Sequence, residues 1–133
     1  MKIAAVTLLP HRAPMCFIET LTQADAECAR ATTCFMPDHF AVANGVVTEA
    51  ALVECVAQTF AAALGAQAGS GHPPAVGMLA AVTNFQIHSR PAVGLLLEIE
   101  TRELKRLGSM RLIAGTITAA GQPIATGELT VYA

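Results

Sequence analysis

Residues 48–65, TEAALVECVAQTFAAALG, constrain this chain more than any other stretch. They read as one helix: Thr48 is placed to cap the start, Glu49 complements the positive end of the helix dipole, and Gly65 offers a left-handed stop. Between those ends Ala50, Ala51, Leu52, Val53, Cys55, Val56, Ala57, Phe60, Ala61, Ala62, Ala63 and Leu64 leave no continuous polar face. The rest of the fold is therefore expected to enclose the helix on nearly every side. Glu54 is the exception. An unpaired buried carboxylate costs several kcal/mol or takes up a proton, so a chain that keeps one in mid-helix has a use for it. Gln58 stands one turn later on the same face.

The chain has 133 residues, which predicts a single domain over 1–133 with a core that needs neither metal nor disulfide staples. Hydrophobic residues make up 53%, charged residues 14%, and the net charge is −2. So few charges require much of the surface to be buried, in the core or against another subunit. Nothing basic enough to bind nucleic acid is present. Between Cys55 and Ser89 there is no Asp, Glu, Lys or Arg, but Gly, Pro, Gln and His interrupt the run before roughly 20 apolar residues accumulate, which argues against a membrane span. The start, MKIAAVTLLPHR, lacks the small-residue cleavage site of a signal peptide and is expected to be retained, in a cytoplasmic protein. Cys16, Cys28, Cys34 and Cys55 have no zinc-type or redox-type spacing and read as small hydrophobes in a reducing compartment.

Residues 1–15 form an extended or short helical lead-in, because Pro10 and Pro14 flank His11 and Arg12. A strand is predicted over 16–21, turn composition over 22–25, and a second strand over 26–35. Residues 36–47, MPDHFAVANGVV, read as a loop delivering His39 just ahead of the helix. After Gly65 the Gly- and Pro-rich AQAGSGHPPA is a crossover, with His72 solvated in it. Strands follow over 76–90 (with a bend), 95–104, 110–119 and 124–132; in 95–104 Leu95, Leu97, Ile99 and Thr101 alternate with Leu96, Glu98, Glu100 and Arg102. Two strands, one long helix and four antiparallel strands make an α+β pattern, with a single sheet of about six strands wrapped round the helix.

His39 in the entry loop and Glu54 inside the helix each have an ordinary structural explanation taken singly. Together, beside a helix start with free N–H groups, they form a candidate site. The sequence around them resembles a known family. LLPHRAP at 8–14 is similar to the leader of the β-hydroxyacyl-acyl-carrier-protein dehydratases, DHF at 38–40 to their Gly-His-Phe, and VECVAQ at 53–58 to their Glu-x-x-Ala-Gln helix. FQIHSRPAVG, LEIETRELKRLGSMRL and the final TGELTVYA follow in the family's order, and the subgroup of aryl-polyene pigment synthesis is the most similar.

The resemblance implies a hotdog fold and a dimer whose active sites lie at the interface, His of one subunit meeting the acid of the other. It implies His39 as catalytic base and Glu54 as acid in the dehydration of a 3-hydroxyacyl thioester. The substrate would be carried on the phosphopantetheine of acyl-carrier protein, in fatty-acid or polyene biosynthesis. No further cofactor and no metal are expected. The elimination needs a base for the C2 proton and an acid for the C3 hydroxyl, and a Glu desolvated in an apolar tunnel would hold that proton. Gln58 and Phe60 are expected to line the substrate site. The entry loop departs from the family pattern, so the amide facing the thioester carbonyl belongs to Glu49 in a gapless count back from Glu54, or to Gly45 if the loop is longer.

The alternatives are a hotdog thioesterase and a non-catalytic partner of a second hotdog subunit; the dimer is built of like or unlike chains. His11 and His88 are candidates to support the site from behind, but each reads first as structural, lying on neither the helix nor its entry loop. Arg90, Arg102, Lys105, Arg106 and Arg111 read first as a solvated rim and second as a patch steering an acidic carrier.

Overall fold

The computed structural model describes residues 1–25, 27–69 and 77–132. In chain order the elements are β1 (Ile3–Ala4), a 3-10 turn (Ala5–Thr7), β2 (Thr20–Ala24), β3 (Cys28–Thr33), β4 (Val42–Ala43), β5 (Val46–Val47) and α1 (Glu49–Ala68). The strands β6 (Met78–Ile87), β7 (Leu97–Leu107), β8 (Met110–Ala119) and β9 (Gln122–Tyr132) follow. Seven strands form one antiparallel sheet in the order β1-β2-β3-β7-β8-β9-β6, and β4 pairs with β5 as a small separate hairpin. The expected architecture is present, with β1 adding a seventh strand to the predicted six.

The period-two pattern of β7 decides which face meets the helix. Leu97, Ile99 and Thr101 are buried while Glu98 and Arg102 are exposed. Ile113 and Ile117 on β8 and Leu129 on β9 extend the same inner face, and Leu52, Cys55 and Val56 of α1 are fully buried against it. Each such Leu or Ile stabilises the fold by roughly 1.5–3 kcal/mol. Gly115, mid-strand in β8, lets the helix in closely, because a Cβ there would overlap the side chain of Val56.

Several local expectations are corrected. The first strand is Thr20–Ala24 rather than 16–21. Residues 16–18 leave the sheet because side chains satisfy their backbone: Phe17 N–H donates to Gln58 Oε1 at 2.7 Å, and Phe17 C=O accepts from Thr33 Oγ1 at 2.6 Å. The entry loop contains the β4–β5 hairpin, turned by Asn44 and Gly45 with φ of 53° and 77°, the signature of a two-residue Asn-Gly turn. Thr48 has the extended backbone of a cap, but its hydroxyl caps nothing.

The helix passes through Gly65 and ends at Ala68, with the positive-φ glycine at Gly69 instead. Gln67 Nε2 fastens the added turn to Asp25 C=O at 2.6 Å. At 20 residues α1 is, by length and composition alone, long and apolar enough to cross a bilayer, a stretch the sequence reading did not count, but it is the core helix of this sheet. Strand β6 is bent as expected, by a register shift between Thr83 and Gln86 with Asn84 at φ 52°. Val76, placed at its start, and His72 lie outside the described residues.

Enclosure of the helix is one-sided. The sheet covers Ala51, Leu52, Cys55, Val56, Thr59 and Ala62, whereas Val53, Glu54, Ala57, Ala61 and Leu64 are only partly covered. One sheet wraps one side of a helix. The uncovered side is flanked by an exposed apolar strip on β6 at the sheet's edge: Met78, Leu79 and Val82 are exposed, Met78 to 71%.

Candidate active site

Glu54 projects from mid-helix into a cavity of about 250 Å3, shared with Pro10, His11, Gln58, Phe60, Met78, Leu79 and Val131. It is 29% exposed, so the expected sealed carboxylate is instead a carboxylate at the mouth of an apolar pocket. Gln58, 1% exposed, spends its whole amide locally. Its Oε1 accepts from Phe17 N–H, which forces Nε2 to be the end that donates to Met15 C=O at 2.8 Å and to Glu54 Oε1 at 3.0 Å. His11 Nε2 lies 3.5 Å from the same Glu54 oxygen. Both contacts fall on Oε1, and Oε2 has no partner among the described residues.

Behind Glu54, burial pushes the Cys55 thiol far above its ordinary range, and the charge of Glu54 adds to that shift. Burial also raises the Cys16 thiol, partly offset by Arg12. The four cysteines are free thiols.

His39 occupies a different place. It sits in an open recess with Pro14, Cys34, Met36, Asp38 and Phe40, stacked on Phe40 and edge-on to Phe17 and Phe35. Its Nδ1 accepts the N–H of Ala41 at 3.0 Å. A neutral imidazole with Nδ1 accepting carries its hydrogen on Nε2, so in this arrangement Nε2 is a donor. A single chain does not bring His39 into the Glu54 cavity.

A family model described as ApeP-like, ApeP dehydratase, matches residues 3–133. The chain belongs to this family. Among solved structures, the dehydratase heterocomplex ApeI:P from Xenorhabdus doucetiae is similar over 98% of this chain and 90% of that one, at 21% identity and TM-score 0.87. A hypothetical thioesterase with coenzyme A from Streptococcus pneumoniae is similar over 84% and 85%, at 11% identity and TM-score 0.67. Thioesterase superfamily member 2 from Mus musculus is similar over 84% and 79%, at 16% identity and TM-score 0.66. At these identities the likenesses establish the hotdog fold. No curated protein matches in sequence.

Placed on this ApeP-like fold, Glu54, Gln58 and Phe60 converge on one cavity as expected. Gly45 and Glu49 do not line it. Gly45 turns the β4–β5 hairpin and accepts from Val93 N–H at 3.1 Å, while the Glu49 carboxylate takes Arg90 Nη2 at 2.6 Å, both side chains being more than half exposed. His11, read first as structural and second as a support for the site, lies off the helix but against its acid. The signal was Gln58, a buried mid-helix amide that needs backbone partners from a segment outside the sheet ladder, and the proline-flanked leader is such a segment. His88 is structural as read, with Nε2 3.1 Å from Thr126 Oγ1.

The late basic set is largely paired: Arg102 with Glu100, and Arg106 and Arg111 with Glu103. A groove of about 360 Å3 on the sheet face away from α1 is lined by Thr22, Thr32, Thr116 and Thr118 with Arg30, Glu98 and Glu100. Arg30 and Glu100 pair there at 2.7 Å.

Proposed function

We propose that this chain acts in the dehydration of a 3-hydroxyacyl thioester carried on acyl-carrier protein to the trans-2-enoyl thioester, as one subunit of a cytoplasmic hotdog dimer in aryl-polyene or fatty-acid biosynthesis. The observation that carries this reading is the Glu54 carboxyl, held through one oxygen at the mouth of an apolar cavity with the other oxygen open. In the elimination a base takes the C2 proton, the C–H electrons form the C2=C3 bond, the C3–O bond breaks, and Glu54 delivers its proton to the departing hydroxyl as water. The phosphopantetheine belongs to the substrate carrier, and no resident cofactor enters.

The dimer part of the reading rests on the edge strand. Among the described residues β6 pairs only with β9; it carries no charge and supplies Met78 and Leu79 to the wall of the Glu54 cavity. A partner adding to that edge would sit beside Glu54, and in a two-fold dimer its own histidine loop would face the acid reciprocally. His39 of a like chain is the base in that arrangement.

The Ala41 bond to His39 Nδ1 favours a second reading. With Nε2 as a donor, this chain contributes Glu54 and an unlike hotdog chain supplies the base. The Xenorhabdus protein is itself described as a heterocomplex.

The test is turnover of a 3-hydroxyacyl thioester on carrier by the purified chain, alone and mixed with a second hotdog dehydratase subunit. Enoyl product from the chain alone, lost in both His39→Ala and Glu54→Gln and restored by mixing the two variants, supports the like-chain site. Product only with the second subunit, lost in Glu54→Gln and not in His39→Ala, supports the unlike-chain site. Free thiol without enoyl product would overturn dehydration in favour of thioester hydrolysis.

A further inference from the structure

Resting on the dehydratase reading, we infer that His11 is a positioning residue for Glu54: with Gln58 it claims Oε1, so that the acid's proton rides on Oε2, the oxygen open to the substrate cavity. Three observations converge on it. His11 Nε2 and Gln58 Nε2 approach the same oxygen, at 3.5 and 3.0 Å. The Gln58 end is fixed, because Phe17 N–H holds its other atom. His11 Nδ1 is buried without a partner among the described residues. A bare lone pair costs less to bury than an N–H with no acceptor, so the burial of Nδ1 selects the tautomer with hydrogen on Nε2, the nitrogen facing Glu54.

The backbone around His11 is tied down on both sides. The guanidinium of Arg12 is occupied by the carbonyls of Val6, Leu9 and His11, with Leu9 at 2.9 Å and His11 at 2.8 Å. Gln58 grips Met15 C=O and Phe17 N–H from the other side. The 3.5 Å separation is a contact that a small movement of the leader converts into a hydrogen bond, in the way catalytic contacts tighten when substrate enters.

A carboxyl whose oxygens were equivalent would present its proton to the substrate only part of the time. The Gln58 hydrogen bond and the His11 contact, once it tightens, bring two donors to Oε1 and remove that ambiguity, because an oxygen so engaged is a poor place for the proton. The remaining titratable or charged groups near His11 do not compete. Arg12 is turned to carbonyls, Cys55 is buried behind the helix, and the described strand residues of the cavity, Met78, Leu79 and Val131, carry none.

The test compares His11→Leu, which removes the donor, with His11→Gln, whose amide nitrogen restores one at similar reach. In the turnover-competent assembly His11→Leu is expected to lower kcat by about ten- to a hundredfold with KM nearly unchanged. The limb of the kcat–pH profile reporting the acid should move, and His11→Gln should restore both. Without turnover, the 13C carboxyl resonance of Glu54 should titrate differently in His11→Leu and as wild type in His11→Gln. Wild-type kcat and Glu54 titration in His11→Leu, or equal defects in both variants, would overturn the assignment while leaving an inactive Glu54→Gln to support dehydration. Full activity in Glu54→Gln would overturn both.

Discussion

The guanidinium of Arg111 lies over the ring of Phe60, with Cζ 5.6 Å from the ring centroid. Phe60 is shared between the Glu54 cavity and a small recess of about 20 Å3 that holds Glu103, Arg106 and Arg111. The ring is therefore the partition between the two spaces, pinned from behind by a cation. Phe60→Ala is expected to join them and raise kcat/KM for longer acyl chains relative to shorter ones by about tenfold or more, measured on a carrier-bound series. Because removing a buried Phe costs roughly 3–5 kcal/mol, Phe60→Leu provides the same shift in smaller measure in a better-folded variant.

Gln58 ties the leader to the helix. Gln58→Leu leaves the buried Phe17 N–H without a partner, at about 1–3 kcal/mol, and turns the partly buried Met15 C=O over to water. A drop of roughly 1–3 kcal/mol in unfolding free energy from urea titration is expected. A drop below about 1 kcal/mol would mean that the leader is not held by this amide.

Gly65→Ala tests a different kind of fit. Ala is the better helix former by about 1 kcal/mol, yet a Cβ at Gly65 would stand 2.6 Å from Leu8 O, a backbone atom. Overpacking of that sort costs about 1–3 kcal/mol, so the net effect should be destabilising, read as a lowered Tm. A raised Tm would show that residues 5–9 shift away freely.

The Cys55 thiol makes stability depend on alkaline pH. Burial, with the charge of Glu54 second, holds it protonated in the fold far above its ordinary value. The unfolded chain ionises first as pH rises, so this contribution is complete below about pH 8.5 and is lost above it, by about 1.4 kcal/mol per pH unit. Urea midpoints at pH 8, 9 and 10 should fall more steeply for wild type than for Cys55→Ala.

The elements legible in the sequence were those governed by local pattern. Leu97, Ile99 and Thr101 face inward because alternation dictates it, and β8 has the predicted bounds. The errors arose where one segment's backbone is satisfied by another's side chain. Residues 16–18 carry strand-like composition but bond to Gln58 and Thr33, and no periodicity records that. Gly65 has the composition of a stop but serves a close approach to Leu8. At the site, Glu54 and Gln58 were legible because their i, i+4 spacing places them on one helix face, whereas Phe60, about 120° round the helix from Glu54, and His11, 43 residues before Glu54, reach the same cavity only through the tertiary fold.

Strand β6 ends the sheet with ten residues, MLAAVTNFQI, that include no charge, lysine or proline to discourage further pairing. Its outer ladder groups are a template, and a template does not choose its copy. Under the unlike-chain reading, copies made faster than their mates arrive would seed one another during synthesis, and the yield of assembly would become a matter of the order and ratio in which the chains are made.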